Sequence, residues 1–259
     1  MKVVILAGGL GSRLSEETVS KPKPMVEISN KPIIWHIMNI YSYYGFNEFI
    51  ICCGYKGHII KEYFLNYSLY NSNVEIDLET NKLMMLKNQT EKWKIKLIDT
   101  GKKSNTGGRI KRIEEYLAKS EPFFLTYGDG LANINLNELL QNHIDSKKKA
   151  TVTAVRPLGR FGSMTIDDQM NVTSFKEKQD FQNSRINGGF FVLNFDVLDY
   201  IKDDYTIFEK EPLENLSKDK QLNAFIHNGF WHPMDTLRDK IFLENLYNSN
   251  KARWKLWKD

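Results

Sequence analysis

Residues 1–14 read MKVVILAGGLGSRL, a short apolar run that passes directly into a loop with three glycines. The apolar run at residues 3–6 is too short for a signal peptide or a membrane span, so it predicts a buried strand. Glycines after such a strand let backbone N–H groups approach a ligand at the carboxyl edge of a sheet. This stretch therefore predicts an α/β fold with a ligand-binding loop at its start.

The pattern that continues from this loop alternates β-branched runs with helical periodicity, which is typical of βαβ units. Pro32 and Gly45 mark the two ends of the first long helix, and a turn at residues 80 and 81 predicts a hairpin. Gly107 and Gly108 precede a predicted helix. The predicted strands are 3–6, 48–53, 74–78, 83–86, 94–99, 123–127 and 150–155, and the predicted helices are 33–44, 59–67, 109–118, 136–146 and 237–247.

After residue 155 the pattern loosens into segments at 164–166, 172–176 and 188–193, which predict antiparallel pairing at one edge of the sheet. The sequence shows no repeat, low-complexity run or linker. We therefore expect an α/β, Rossmann-like fold in one domain, with a mixed, mainly parallel sheet flanked by helices and a small antiparallel portion.

Charge and cysteine content exclude several classes of protein. The 36 basic and 32 acidic residues give a net charge of +4 spread along 259 residues, which does not call for a nucleic-acid partner. Basic residues interleave with Trp254 and Trp257 in the tail, which is short for a membrane-surface helix and better suits a docked or subunit-contacting tail. Adjacent Cys52 and Cys53 point to opposite faces of a strand and form neither a disulfide nor a zinc site, which fits a reducing cytoplasm.

The glycine loop alone fits a dinucleotide fingerprint, a P-loop or a plain turn. No Gly-Lys-Ser/Thr follows at P-loop spacing, and the second strand ends without the acidic residue that binds a ribose hydroxyl. Two cations accompany the loop: Arg13 within it, and Lys23 between two prolines that stiffen the chain. Lys23 is either a fixed charge for a phosphate or a solvated loop lysine.

Several motifs together resemble the sugar-1-phosphate nucleotidyltransferases over nearly the whole chain. They are residues 8–14, residues 21–25 (KPKPM), Asp129, Glu177 with Lys178, Asn187 with Gly188, and Asp235. The resemblance implies the nucleotide-diphospho-sugar transferase-like fold, as one domain over residues 1–259. About 1–130 would be the nucleotide-binding part, and about 131–259 the sugar-phosphate-binding part with the C-terminal helix. Two departures are Ser12 where threonine is usual and the lack of a proline at residues 15–18.

The resemblance also implies a set of site residues. Lys23, Arg13 and Asp129 would be catalytic, and Asp129 with Asp235 would bind Mg²⁺. The nucleotide-binding set is Leu6, Ala7, Gly8, Gly9, Leu10, Gly11, Ser12, Arg13, Lys23, Ser104, Arg109 and Gly128. From the residues alone, Asp129 is equally a turn-forming aspartate, and Asp235 is favoured as a helix N-cap.

For the sugar phosphate, the resemblance implies Gly162, with Phe161, as a floor beneath the sugar. Glu177 and Asn187 would bond glucose hydroxyls, and Lys178 would hold the phosphate. The residues alone also allow a solvated charged run at 176–178.

Base choice is predicted from Arg109. Cytosine presents O2 and N3 as adjacent acceptors whereas uracil has a donor at N3, so an arginine fork would accept cytosine and reject uracil. The alternative is an ordinary basic residue on the first turn of a helix, together with Lys111 and Arg112. Residues 14–18, 52–57 and 230–236 resemble the cytidylyl-transferring branch of the family.

This branch implies CTP and glucose 1-phosphate as substrates and CDP-glucose for lipopolysaccharide O-antigen as the product. It also implies a cytoplasmic homo-oligomer, a hexamer by resemblance. Other readings are a uridylyl- or thymidylyltransferase acting on another sugar phosphate, a non-catalytic nucleotide-sugar sensor, and a dinucleotide-dependent oxidoreductase.

Overall fold

A computed structural model describes residues 1–87, 90–157, 163–176 and 184–258. Its strands are β1 (Lys2–Ala7), β2 (Glu27–Ile28), β3 (Lys31–Pro32), β4 (Glu48–Cys53), β5 (Asn73–Asp77), β6 (Lys82–Lys87), β7 (Lys94–Asp99), β8 (Phe123–Tyr127), β9 (Gly130–Ala132), β10 (Ala150–Val155), β11 (Ser163–Ile166), β12 (Val172–Lys176), β13 (Ile186–Leu193), β14 (Leu222–Ile226) and β15 (Trp231–Pro233). The α-helices are α1 (Ser15–Thr18), α2 (Ile33–Tyr43), α3 (Gly57–Leu65), α4 (Tyr67–Asn71), α5 (Thr106–Lys111), α6 (Leu136–Ser146), α7 (Glu211–Lys218) and α8 (Leu237–Asn248).

Seven strands form the main sheet, in the order β14-β10-β13-β8-β1-β4-β7. The block β8-β1-β4-β7 is parallel throughout, and β10 and β14 are parallel to each other. β13 runs antiparallel to both of its neighbours, β8 and β10. The carboxyl ends of four parallel strands therefore meet at one edge, where the loops after β1, β4, β7 and β8 lie side by side.

The sheet is buried on both faces because side chains alternate along each strand. Val3, Ile5 and Ala7 of β1 join a core that includes α2 and α8, whereas Val4 and Leu6 join a second core that includes α5 and α7. Cys53 and Cys52 divide between the same two cores, and both thiols are free and buried. This confirms the prediction that they face opposite sides, and burial raises the pKa of the Cys53 thiol to about 11.

The predicted elements up to residue 99 are confirmed, including the hairpin of β5 and β6 with its turn at Asn81, where φ is +52°. The helix predicted at residues 109–118 is present with other bounds, since α5 begins three residues earlier and ends at Lys111. α5 begins at Thr106 because Asn105 N–H and Gly107 N–H donate to the carbonyls of Asp204 and Thr206. A Cβ on Gly107 would lie 2.7 Å from the Thr206 oxygen, so the glycines belong inside the helix, where another segment packs against it.

One further expectation is wrong. β13 does not lie at an edge but in the middle of the sheet, between β8 and β10. On α8, Leu243 is fully buried, whereas Ile241 and Phe242 are exposed. α7 and β14 were not predicted, because their burial depends on contacts with residues distant in sequence.

The tail lies against the chain's own core, as the docked interpretation predicts. Trp254 is fully buried and stacks on Phe230 at 5.5 Å between ring centroids, and the Trp257 ring meets Trp35 edge-on. Within the described residues, none of the helices is both long and apolar enough to cross a membrane.

Candidate active site

The loops at the carboxyl edge of the parallel strands contact one another directly. Tyr55 N–H, after β4, donates to the Gly8 carbonyl after β1, and Gly128 N–H, after β8, donates to the Leu6 carbonyl. A Cβ on Gly54 would lie 2.8 Å from the Gly8 Cα, so this close approach needs glycine. The result is a cleft at the edge of the sheet where α/β proteins bind ligands.

Arg109 supports the glycine loop from below. Its guanidinium donates from Nη2 to the Gly8 carbonyl (3.0 Å) and from Nη1 to Thr100 Oγ1 and the Gly101 carbonyl (both 2.8 Å). Arg109 is 4% exposed, and its burial lowers the pKa of the guanidinium. Arg109 is therefore buried in the last turn of α5, and part of its guanidinium is already hydrogen-bonded within the protein.

Lys23 lies between two carboxylates at the mouth of the cleft. Its Nζ is 2.6 Å from Asp129 Oδ2 and 2.8 Å from Asp235 Oδ1. The second oxygen of Asp235 accepts from Arg13 Nη1 at 2.8 Å. Lys23 is 8% exposed, so the interpretation as a solvated loop lysine is wrong.

The first turn of α8 fixes the backbone of Asp235. Thr236 is the N-cap of this helix, and it forms a capping box with Asp239, so the expectation that Asp235 is the cap is wrong. Asp239 Oδ2 accepts from Asp235 N–H at 3.2 Å and from Thr236 N–H at 2.9 Å. The backbone of Asp235 is thus fixed, and its side chain is directed to Lys23 and Arg13.

The cleft has a volume of about 410 Å³, which is within the range of small-molecule sites. Every predicted nucleotide-binding residue except Leu10 lines it, as does Asp129. The Leu10 side chain is exposed, and Gly11 takes a positive φ of +67° that favours glycine.

Comparison with known proteins identifies the family. The model of the nucleotidyl transferase family matches residues 2–254. The chain belongs to the nucleotidyl transferase family. A glucose-1-phosphate cytidylyltransferase of Salmonella typhi is 53% identical over 99% of this chain and all of its own length, and a probable enzyme of the same name from Bacillus subtilis is 47% identical with the same coverage.

Solved structures share the fold of this nucleotidyltransferase. HddC from Yersinia pseudotuberculosis, in complex with GMP-PN, superposes with a TM-score of 0.69 at 24% identity, covering 95% of this chain and 99% of that one. A UDP-glucose pyrophosphorylase in complex with UDP-glucose has a TM-score of 0.67 at 17% identity, covering 96% of this chain and 98% of the other. The prediction of a mixed, mainly parallel sheet flanked by helices is confirmed.

Of the residues predicted for the sugar phosphate, the structure places Asn187. Asn187 lies in β13, exposed, and its Nδ2 donates to the Tyr127 hydroxyl at 2.9 Å. Gly162, Glu177 and Lys178, together with Phe161, lie outside the described residues.

The nucleotidyltransferase cleft also contains residues that the sequence analysis missed. Pro24, Asn105, Thr106 and Tyr127 line it. Burial and the nearby Glu209 carboxylate raise the pKa of the Tyr127 phenol, so Tyr127 remains a hydrogen-bond donor at neutral pH. The sequence feature that points to Tyr127 is its position at the end of a strand, directly before Gly128 and Asp129.

Proposed function

We propose that this nucleotidyltransferase joins CTP and glucose 1-phosphate, giving CDP-glucose and pyrophosphate. The observation that carries the proposal is the buried Lys23 ammonium held by Asp129 and Asp235 at the mouth of the glycine-loop cleft. The named substrates are supported by the full-length relatives at 53% and 47% identity.

Both reactants are anions, so charge repulsion is the first obstacle to reaction. An oxygen of the sugar phosphate attacks the α-phosphorus, its bond forms, and the bond between the α-phosphorus and the bridging oxygen breaks as pyrophosphate leaves with that oxygen. The N–H groups of residues 8–11 would hold the triphosphate, and Lys23 would offset the charge that builds at the phosphorus. The Arg13 side chain, 73% exposed, would bind the leaving pyrophosphate.

The donor set of the site fits Mg²⁺. Asp129 and Asp235 offer hard carboxylate oxygens that converge on one point, the Lys23 ammonium. The described residues contain no cluster of three or more candidate metal ligands. Mg²⁺ suits such a pair, because it is commonly bound by one or two carboxylates together with substrate phosphates and water. When bound, the ion would supply positive charge to the phosphates.

Base recognition would use the part of Arg109 that the protein leaves free. Arg109 makes four hydrogen bonds, three from Nη1 to Thr100, Gly101 and the Cys53 carbonyl and one from Nη2 to Gly8, whereas a guanidinium has five N–H groups. The remaining donors suit adjacent acceptors such as cytosine O2 and N3, and Ser104 lines the same part of the cleft. A uracil would instead present a donor at N3 to a group with no acceptor.

Beside the cleft, where its amide contacts Tyr127, Asn187 would bond a glucose hydroxyl. Glu177 would bond a second hydroxyl, Lys178 would bind the attacking phosphate, and Gly162 would form the floor of the subsite. These roles rest on motif resemblance for the three residues outside the described ranges.

The direct test is to incubate the protein with CTP, glucose 1-phosphate and Mg²⁺ and to follow pyrophosphate. UTP, dTTP and GTP serve as nucleotide controls, and mannose 1-phosphate as a sugar control. We expect rapid release only with CTP and glucose 1-phosphate. Faster turnover of another pair would overturn the substrate assignment, and no release with any pair would indicate a sensor.

We also propose that the chain assembles with copies of itself, as a hexamer by resemblance. Ile76 and Leu83 pair across the β5–β6 hairpin, and Met85 neighbours them on the same face, each more than two-fifths exposed. Among the described residues these two strands pair with no other strand, and an isolated hairpin is marginally stable in water. Light scattering should show that Leu83→Ser with Met85→Ser lowers the oligomer mass, whereas Leu65→Ser does not. An unchanged mass would exclude the hairpin as the interface.

In the cell, we propose that the enzyme acts in the cytoplasm and supplies CDP-glucose for lipopolysaccharide O-antigen. The absence of a disulfide between the buried Cys52 and Cys53 is compatible with a reducing compartment. Loss of the gene product should deplete CDP-glucose in cell extracts, and an unchanged CDP-glucose level would contradict this role.

A further inference from the structure

A chain of three hydrogen bonds runs along the cleft from Asn187 to Thr106 and passes through a residue that no motif includes, Glu209. Asn187 Nδ2 donates to the Tyr127 hydroxyl at 2.9 Å, and the Tyr127 hydroxyl donates to Glu209 Oε1 at 2.7 Å. From the other side, the Thr106 hydroxyl donates to Glu209 Oε2 at 2.5 Å. The two carboxylate oxygens of Glu209 are thus divided between two walls of the cleft.

The direction of each bond is fixed by its neighbours. Asn187 Oδ1 accepts from Gly189 N–H at 2.8 Å, so the amide presents its NH₂ group to Tyr127. The Tyr127 oxygen is then an acceptor toward Asn187, and its proton goes to Glu209. Thr106 Oγ1 accepts from Phe208 N–H at 2.9 Å, so its own proton is likewise directed to Glu209.

The two ends of this chain are Thr106, which lines the cleft, and Asn187, which contacts the cleft residue Tyr127. Thr106 is the first residue of α5, the helix that carries Arg109, and it lines the cleft where the base is proposed to bind. Asn187 belongs to the part proposed to bind the sugar. Glu209 therefore connects the two parts by accepting a hydrogen bond from Tyr127 and one from Thr106.

The segment that carries Glu209 is also attached to α5 by its backbone. Gly107 N–H donates to the Thr206 carbonyl at 2.9 Å, and Asn105 N–H donates to the Asp204 carbonyl at 2.8 Å. A Cβ on Gly108 would lie 2.3 Å from the Asp204 oxygen, so the two segments pack without a gap. The backbone next to Glu209 is therefore fixed against the start of α5.

We propose that Glu209 is a positioning residue that couples the nucleotide part of the cleft to the sugar-phosphate part. It acts through Thr106 toward the nucleotide and through Tyr127 and Asn187 toward the sugar. This inference rests on the proposed function, since it assigns the two ends of the chain to the two substrates.

The test is a grid of initial rates over CTP and glucose 1-phosphate, with pyrophosphate release as the signal. Thr106→Val removes only the nucleotide branch and should raise the KM for CTP alone. Tyr127→Phe removes only the sugar branch and should raise the KM for glucose 1-phosphate alone. Glu209→Ala removes both and should raise both KM values about fivefold, with kcat within about twofold of the parent, since one hydrogen bond is lost on each side.

Glu209→Gln keeps the shape of the side chain, and it replaces Glu209→Ala in the test if Glu209→Ala does not fold. An amide has one acceptor oxygen, so it can satisfy only one of the two hydroxyls, and one of the two KM values should stay raised. Glu211→Gln is the matched control on the same segment, because Glu211 is exposed and pairs only with the exposed Lys202 among the described residues. Its KM values should equal those of the parent.

A purely structural role for Glu209 would lower the melting temperature and the active fraction, and hence kcat, with both KM values unchanged. That pattern would overturn the inference. So would a result in which Thr106→Val, Tyr127→Phe and Glu209→Ala all raise the KM for the same one of the two substrates. An inactive parent chain would instead refute the proposed function, so the two failures are distinguishable.

Discussion

At the residue scale, Lys23 is the cation that pairs with both carboxylates of the site. Its ammonium contacts two carboxylates at 2.6 and 2.8 Å and is almost fully buried, so its position is fixed before any phosphate arrives. We predict that Lys23→Ala lowers kcat about 10² to 10³-fold, because a charge contact made in the transition state is lost.

Lys21 provides the matched control, since it lies in the same proline-rich segment and pairs with the half-exposed Glu27. Lys21→Ala should keep kcat within about twofold, and circular dichroism should show an unchanged fold for both variants. Near-normal turnover of Lys23→Ala, or an equal loss in Lys21→Ala, would contradict the assigned role.

Arg109 has two tasks that a substitution can separate. It supports the Gly8 carbonyl, and we propose that its remaining N–H groups read the base. Arg109→Lys keeps a charge but loses the planar fork, so we predict at least a tenfold fall in the preference for CTP over UTP, measured as the ratio of kcat/KM values. If Arg109 only supports the loop, both kcat/KM values will fall by the same factor and the ratio will not change. Lys111→Gln, on the same helix, should leave the ratio as in the parent.

At the scale of one element, the first turn of α8 contributes both to the stability of the fold and to the position of Asp235 in the site. The Asp239 carboxylate accepts from Asp235 N–H and Thr236 N–H, and its second oxygen lies 3.0 Å from His232 Nε2. We predict that Asp239→Ala lowers the unfolding free energy by about 1–2 kcal/mol, as loss of a helix cap does. It should also raise the Mg²⁺ concentration for half-maximal activity about tenfold, because Asp235 loses its support.

The N-terminus of α6 offers a control away from the cleft. Asn135 caps that helix by accepting from Asn137 N–H and Glu138 N–H. Asn135→Ala should cost similar stability in a urea titration without changing the Mg²⁺ dependence. A shift in Mg²⁺ dependence in both variants would show that general destabilisation is responsible.

The same scale shows what local sequence patterns can and cannot predict. β1, β4 and β8 follow from short apolar runs ended by glycine, and their parallel arrangement brings Gly8 and Asp129 to one edge. The start of α5 does not follow from the local sequence, since Gly107 and Gly108 pack against residues 204–206, which are distant in the chain. Glu209 was missed for the same reason: its partners Tyr127 and Thr106 are 82 and 103 residues away.

At the scale of the whole molecule, one buried histidine joins the first long helix to the C-terminal tail. His36 of α2 is fully buried, its Nε2 lies 3.1 Å from the Ile28 carbonyl, and its ring centroid lies 5.3 Å from that of Tyr247 and 6.3 Å from that of Trp254. Burial lowers the pKa of His36 to about 4, and the charges of Lys255 and Lys31 act in the same direction. The folded state therefore holds this imidazole neutral.

Because the pKa of His36 is lower in the folded state than in the unfolded chain, the unfolded chain binds the proton more readily as pH falls. The contribution of neutral His36 to the unfolding free energy is therefore complete above about pH 6.5 and is lost as pH falls toward 4. Between pH 7 and pH 5 the loss from this one group should be about 2 kcal/mol of unfolding free energy.

Urea titrations of the parent, His36→Phe and the exposed His58→Gln at both pH values measure this contribution. His36→Phe keeps an aromatic ring but cannot take a proton, so its loss of unfolding free energy between pH 7 and pH 5 should be about 2 kcal/mol smaller than that of the parent. His58→Gln should retain the parent's pH dependence. An equal pH dependence in all three proteins would mean that His36 does not link the folding of the tail to pH. Since Trp254 and Trp257 pack around this ring, their fluorescence should report the same transition as the global unfolding signal.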